Sequence, residues 1–186
     1  MIDEDCELQY LECDGWVNVY HYFYDAPIWP RGLPLDKIRC YGKTGLIKDG
    51  LKLRAPVQQF VINSDPDVDA IQRLVLPGDY QASERRMKLA LSKGSYTTYN
   101  TQCTLYDSDA FHLLYLPHHC SFRMTDIWRS LVAQVVLHHF DCALLYRSPI
   151  SFQERNDHCL MDDFRQEVDG YLHNDTILWK LIDHAK

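Results

Sequence analysis

The sequence lacks any C-x-x-C pair, although seven cysteines occur among its 186 residues. Zinc ribbons and dithiol redox motifs need such closely spaced thiols, so the sequence disfavours both. Long apolar runs are absent as well: the longest, residues 131–137, is interrupted by Gln134. A membrane-spanning helix needs roughly 18 apolar residues, so we expect no membrane span in this chain.

Basic clusters are scarce. The formal net charge is -7, and the only dense group of cations is the short segment 85–88. Nucleic acids require clustered Lys and Arg against their phosphates, so we expect no nucleic-acid partner. Hydrophobic residues make up 46% and charged residues 24%, which is typical of a globular domain.

The start of the chain is acidic and therefore unlike a signal peptide, which begins basic and turns apolar. The subcellular location is left open, with an upstream anchor as one route to a secretory compartment. There the Asn174-Asp175-Thr176 triplet would match the acceptor pattern for N-linked glycan.

Apolar periodicity and turn residues predict strands alternating with helices, which indicates an α/β fold. Residues 57–63 and 143–146 have the composition of strands, and the polar segment 94–100 that of a loop. Thr125 and Asp126 are predicted to cap the most regular helix. The predicted helices are 68–75, 110–116, 127–140, 156–171 and 177–182.

The tripeptide Asp3-Glu4-Asp5 places two carboxylates one residue apart. Such a pair can reach one hard cation, Mg²⁺ or Mn²⁺, that also binds a diphosphate. The alternative is an acidic chain end without a ligand, because the D-x-D pattern is common by chance.

Further motifs follow in order along the chain. After the acidic tripeptide come I-W-P-R-G-L-P-L at 28–35, D-P-D-V-D-A-I-Q-R-L at 65–74, Y-N-T-Q-C-T at 99–104, S-F-R-M-T-D-I-W-R at 121–129 and F-Q-E-R-N-D-H at 152–158. In this order the sequence resembles the STELLO family of glycosyltransferases, across residues 3–158.

The resemblance implies a nucleotide-sugar-dependent glycosyltransferase with a GT-A-like fold. In that family a Rossmann-like half that binds the nucleoside precedes the acidic motif. We therefore expect residues 1–186 to form a single, truncated domain with an incomplete sheet and little activity alone. The implied ligands are Mn²⁺ or Mg²⁺, a nucleotide-sugar donor and a glycan acceptor, with glycan-synthesis proteins as further partners. The location would be the Golgi lumen if the full-length protein has an upstream membrane anchor. The alternative is a non-catalytic scaffold or binding module of a glycan-synthesising complex.

Several charged residues in these motifs could bind or activate substrate. Arg31 follows a proline in a rigid loop and could clamp a diphosphate, or it could pair with Asp25 or Asp36. Asp67 and Asp69 follow a predicted strand, where α/β proteins bind ligands, and are predicted to be catalytic. Helix capping explains one of these two carboxylates but not both.

The segments around residues 100 and 126 supply the remaining polar candidates. Asn100 and Gln102 would share one face of an extended chain and could bind sugar hydroxyls, or form a buried hydrogen-bond network. Asp126 could deprotonate an acceptor hydroxyl, or it could stabilise a helix start and pair with Arg129. Arg123 and Arg129 are the candidate diphosphate and substrate ligands beside it.

The last motif contributes two candidates. Arg155 is a candidate substrate ligand, and the resemblance implies that His158 completes the metal site with Asp3 and Asp5. A histidine without any ligand is the alternative for His158. We expect one cleft to collect residues from five separate segments: Asp3 or Asp5, Asp67, Asn100, Arg123, Asp126 and His158.

Overall fold

The computed structural model describes residues 8–46, 53–154 and 156–186. The strands in these ranges are short. In chain order they are β1 (Leu8–Glu12), β2 (Gly15–Trp16), β3 (Lys43–Leu46), β4 (Val57–Phe60), β5 (Asn63–Ser64), β6 (Lys88–Leu91), β7 (Ser95–Tyr96), β8 (Thr104–Tyr106), β9 (Leu144–Arg147) and β10 (Phe152–Gln153).

The α-helices are α1 (Ala70–Val75), α2 (Thr125–His139) and α3 (Leu160–His184). Short 3-10 helices cover Val19–Tyr22, Leu35–Lys37, Ser108–Leu114 and Phe122–Met124. None of the helices in the described part of the chain combines the length and hydrophobicity that crossing a bilayer requires.

Six strands form an open mixed sheet in the order β3-β1-β6-β9-β4-β8. The β1–β6 and β4–β9 pairs are parallel, and the other three pairs are antiparallel. The predicted α/β class is therefore confirmed. Two smaller parallel pairs, β10–β5 and β2–β7, extend the structure beside this sheet.

The loop of residues 28–35 packs in an apolar cluster together with α2 and α3. This cluster joins Trp29 and Leu33 of the loop to Leu131 of α2 and Leu178 of α3. Gly32 has a positive φ of 87°, and a Cβ there would collide with Ile127 of α2. The loop is therefore held tightly against the beginning of α2.

Some predicted boundaries are wrong. The two C-terminal helices are one continuous helix, α3, in which Gly170 lies where a Cβ would collide with Met124. Within the predicted loop 94–100, Ser95–Tyr96 form β7, whereas residues 97–100 lack regular secondary structure as predicted, and the segment is buried from Ser95 onward. The predicted helix at 110–116 is a 3-10 helix, and no side chain caps the start of α2.

Candidate functional site

Three segments that are distant in sequence hold the backbone around Arg31. The Arg31 amide donates to the Asp67 carbonyl at 2.9 Å, and Thr98 Oγ1 donates to the Arg31 carbonyl at 2.7 Å. Asn174 Nδ2, on α3, donates to the Gly32 carbonyl at 2.6 Å. These bonds fix the backbone from which the Arg31 side chain extends.

The Arg31 guanidinium bridges two carboxylates. Its Nε and Nη2 donate to Asp67 Oδ1 and Oδ2, both at 2.9 Å, and Nη2 also lies 3.1 Å from Asp126 Oδ2. Nη1 donates to the Arg123 carbonyl. Arg31 therefore pairs with neither Asp25 nor Asp36, the partners considered from the sequence.

The charges in this cluster stabilise one another. Burial raises the pKa of Asp67, but the charge and hydrogen bonds of Arg31, together with Asn100, outweigh it and lower the pKa overall. Burial likewise opposes the charge on Arg31, yet Asp67 and Asp126 raise its pKa. The Arg31–Asp67 pair is consequently ionised at neutral pH.

Asp69 stabilises the fold through hydrogen bonds to two other residues. Its carboxylate accepts from the Gln72 amide at 2.7 Å, which caps α1, and from Trp29 Nε1 at 2.6 Å. Burial raises its pKa to about 6 despite these bonds, and Glu167 adds to the effect. The geometry therefore fits the capping alternative for Asp69, which joins the 28–35 loop to α1.

Arg123 is held by carboxylates on α3. Its Nε lies 2.6 Å from Glu167 Oε1, and its Nη1 lies 3.3 Å from Asp163 Oδ1. Glu167 also accepts from the Ala70 amide at 2.8 Å and from the Tyr171 hydroxyl at 2.5 Å. Arg123 thus joins the start of α2 to α3.

Asn100 belongs to the same cluster, whereas Gln102 and Thr104 do not share its face. Asn100 Nδ2 donates to Asp67 Oδ2 at 2.9 Å. The chain turns after Asn100, and Thr104 Oγ1 donates at 2.9 Å to Gln59 Oε1. The buried Gln102 Oε1 has no hydrogen-bond partner in the described part of the chain.

Arg129 lies in the interior, away from Asp126. Its guanidinium is 5.7 Å from the ring centroids of both Tyr99 and Tyr106. The Asn100 carbonyl is 3.5 Å from its Nη2. This arrangement fits cation–π packing that supports the Asn100 segment.

An open pocket of about 300 Å³ lies directly outside the Arg31 cluster. Its walls come from the 28–35 loop, the segments of Thr101 and Leu116, and the regions around the starts of α2 and α3. The predicted residues Arg31, Arg123, Asp126 and His158 line it, and Asp67 and Asn100 lie behind Arg31. A separate cavity of about 220 Å³ lies between Ser108–Leu114 and the end of α2.

The predicted metal site is only partly within the described residues. Asp3, Asp5 and the substrate candidate Arg155 lie outside them. His158 Nδ1 is 3.7 Å from Asp163 Oδ1. Over residues 8–46, 53–154 and 156–186, no three His, Cys, Asp or Glu side chains are arranged to hold a metal ion.

Sequence reasoning missed the contribution of α3. Its buried polar residues Asp163, Glu167 and Asn174 recur at intervals of four and seven, which places them on one helical face. That spacing was the available signal. Asn174 also accepts from Trp128 Nε1 at 2.8 Å, so its side chain is enclosed and unavailable for glycan attachment in the folded protein.

Comparison with known proteins supports the motif-based resemblance. No family model matches the chain. "Probable glycosyltransferase STELLO2" and "Probable glycosyltransferase STELLO1" of Arabidopsis thaliana are each 32% identical to it over 126 residues. These matches cover 65% of this chain, which spans about 16% of the length of either relative.

The described residues therefore define an α/β protein with a buried Arg–carboxylate cluster beneath an open pocket. The two matches confirm the predicted resemblance of the chain to STELLO-type proteins.

Proposed function

We propose that this chain contributes to a nucleotide-sugar-dependent glycosyltransferase and that Asp126 activates the acceptor. Two relatives bear the name glycosyltransferase, which supports transfer as the reaction class. The observation that carries the proposal is the position of Asp126. Its carboxylate is held by Arg31 at 3.1 Å and borders the 300 Å³ pocket.

In the proposed reaction an acceptor hydroxyl bonds to the anomeric carbon of the donor sugar. The bond from that carbon to the diphosphate breaks, and the nucleoside diphosphate leaves with the electron pair. The Asp126 carboxylate takes the hydroxyl proton. Arg31 acts as a positioning residue, because its guanidinium donates to both oxygens of this carboxylate and holds it in place.

The GT-A-like architecture and the cation belong to this proposal. Mn²⁺ or Mg²⁺ would depend on Asp3 and Asp5, and the described residues do not assemble a three-ligand site themselves. The nucleotide-sugar, the glycan acceptor and other glycan-synthesis proteins are the proposed partners.

The test is release of nucleoside diphosphate by the full-length protein from a panel of nucleotide-sugars, with and without Mn²⁺, in the presence of mixed glycan acceptors. Asp126→Asn should lower kcat by about 10²–10⁴-fold, because the amide cannot accept the proton. Asp162→Asn is the matched control, since Asp162 is exposed on α3 and pairs only locally with Arg165.

Thermal unfolding of each variant separates loss of chemistry from loss of fold. Unchanged kcat in folded Asp126→Asn would remove Asp126 from the mechanism. Glycan binding without turnover of any donor would instead favour the non-catalytic binding module.

A further inference from the structure

The pocket beside Asp126 has a polar floor and an apolar rim. Arg31, Arg123 and Asp126 lie at the floor, whereas Leu116 and Phe122 are exposed at the rim. A ligand that fits must therefore offer both polar groups and a flat apolar face.

The two guanidinium groups at the floor are already neutralised. Arg31 pairs with Asp67 and Asp126, and Arg123 pairs with Asp163 and Glu167. Among the described residues, both guanidinium groups of the floor are thus engaged by carboxylates, and neither is free to take up a diphosphate.

The polar floor suits hydroxyl groups. Asp126 Oδ2 accepts from the Thr101 amide and hydroxyl only at long distances, 3.3 and 3.4 Å. Hydrogen bonds of this length are weak, so a ligand hydroxyl can replace them. A carboxylate accepts a charge-assisted hydrogen bond from a ligand hydroxyl, and the Thr101 hydroxyl can turn towards the same ligand.

Phe122 presents an exposed ring at the rim, on a backbone that hydrogen bonds hold in place. It is 86% exposed, and its carbonyl accepts from Thr125 Oγ1 at 2.9 Å. The preceding Ser121 donates its hydroxyl to the Gln166 carbonyl of α3. Because the backbone is anchored on both sides, the ring can receive a ligand with little ordering cost. The electron-rich ring face attracts the C–H face of a sugar.

We infer that this pocket is a subsite for a neutral sugar ring, which stacks on Phe122 and places a hydroxyl at Asp126. The inference rests on the proposed function in naming that sugar as the acceptor. The diphosphate of the donor is accordingly bound elsewhere, and Arg31 and Arg123 shape the subsite instead of clamping phosphate.

The test measures binding without any donor, by saturation-transfer NMR and calorimetry. The probes are maltotetraose, mannotetraose and xylotetraose, with trigalacturonate as an anionic counterpart and UDP and GDP as competitors. Phe122→Ala should weaken the best neutral oligosaccharide at least tenfold, and Phe122→Trp should restore it. Phe111→Ala is the matched control, because Phe111 is another exposed phenylalanine, at 59%, that does not line the pocket.

Neutral binding that requires Phe122 and survives excess UDP and GDP supports the subsite. Three results would overturn it: no neutral probe binds, Phe122→Ala binds as the parent does, or UDP or GDP displaces the sugar competitively. Sugar binding without donor turnover by the full-length protein would refute the proposed transferase activity while leaving the subsite intact. If Phe122→Ala turns over the donor with an unchanged KM for the acceptor, the subsite would be refuted while the transferase activity stands.

Discussion

Arg31 and Asp67 form a two-pronged ion pair in which both side chains are only 9% exposed. The pair joins the 28–35 loop to the segment before α1. Its two hydrogen bonds are equal in length, at 2.9 Å, which is the planar geometry that guanidinium and carboxylate prefer. Breaking an ion pair this deeply buried should cost more stability than breaking one at the surface.

Breaking this pair should be costly. Arg31→Met should lower the free energy of unfolding by about 3–5 kcal/mol, because Asp67 is left buried without its partner. Arg54→Met is the control, since the Arg54–Asp109 pair is exposed and should contribute less than about 1 kcal/mol. Urea denaturation at pH 7 measures both, and similar losses in the two variants would contradict the prediction.

Gly32 should not tolerate a side chain. Gly32→Ala is expected to lower the free energy of unfolding by more than about 1 kcal/mol, because φ is positive and the new methyl collides with Ile127. Gly78→Ala should be neutral or slightly stabilising, since its Cβ would meet only Tyr80, at 3.9 Å. Thermal unfolding of the two variants checks this contrast, and equal melting temperatures would refute it.

His138 should make the protein less stable in mild acid. Burial, with a smaller effect of Lys93, lowers its pKa to about 4 from 6.5. Below pH 6.5 the His138 imidazole is protonated in the unfolded chain but stays neutral in the folded protein until the pH nears 4. The contribution of His138 to stability therefore falls as the pH falls. Between pH 7.5 and 5.0 the loss should be about 2 kcal/mol.

Comparison of variants isolates this effect. Asp69 has a raised folded pKa of about 6, so it binds a proton more readily when folded and changes stability in the opposite direction. His138→Phe should remove the loss in mild acid, whereas His139→Gln, at an exposed neighbour, should retain it. An identical pH dependence in parent and His138→Phe would be incompatible with the assignment.

Asn174 should act as a structural clamp and not as a glycan acceptor. Asn174→Ala leaves the Trp128 indole N–H and the Gly32 carbonyl without their partner, at a cost of about 1–3 kcal/mol. Thr176→Ala removes the same glycosylation triplet from an exposed position and should have little effect. Intact mass of protein secreted from eukaryotic cells should show no glycan, and a glycan on natively folded protein would refute the clamp.

The sequence predicted elements whose signal is local. Helix α2 was recognisable from its long apolar periodicity, and β4 and β9 from their apolar composition. Strands β1, β3 and β8 were missed, because their three to five residues alternate too briefly and their pairing partners are distant in sequence.

The site was predictable as a set of motifs but not as a set of contacts. The motifs named Arg31, Asp67, Asn100, Arg123, Asp126 and His158, which the fold places around one pocket. The partners of Arg31 lie 36 and 95 positions away, and such a choice depends on how the loops pack. Asp126 appeared as a helix cap because local rules cannot detect a distant guanidinium.

Helix α3 determines how the protein can be shortened. Through Glu167 and Asn174 it reaches the α1 amide, the Arg123 guanidinium and the Gly32 carbonyl, so three other segments depend on its presence. A deletion from the C-terminus that enters this helix would dismantle the pocket before it reached the central sheet. Expression boundaries should therefore be set beyond His184, and fusion partners should be joined there with a linker.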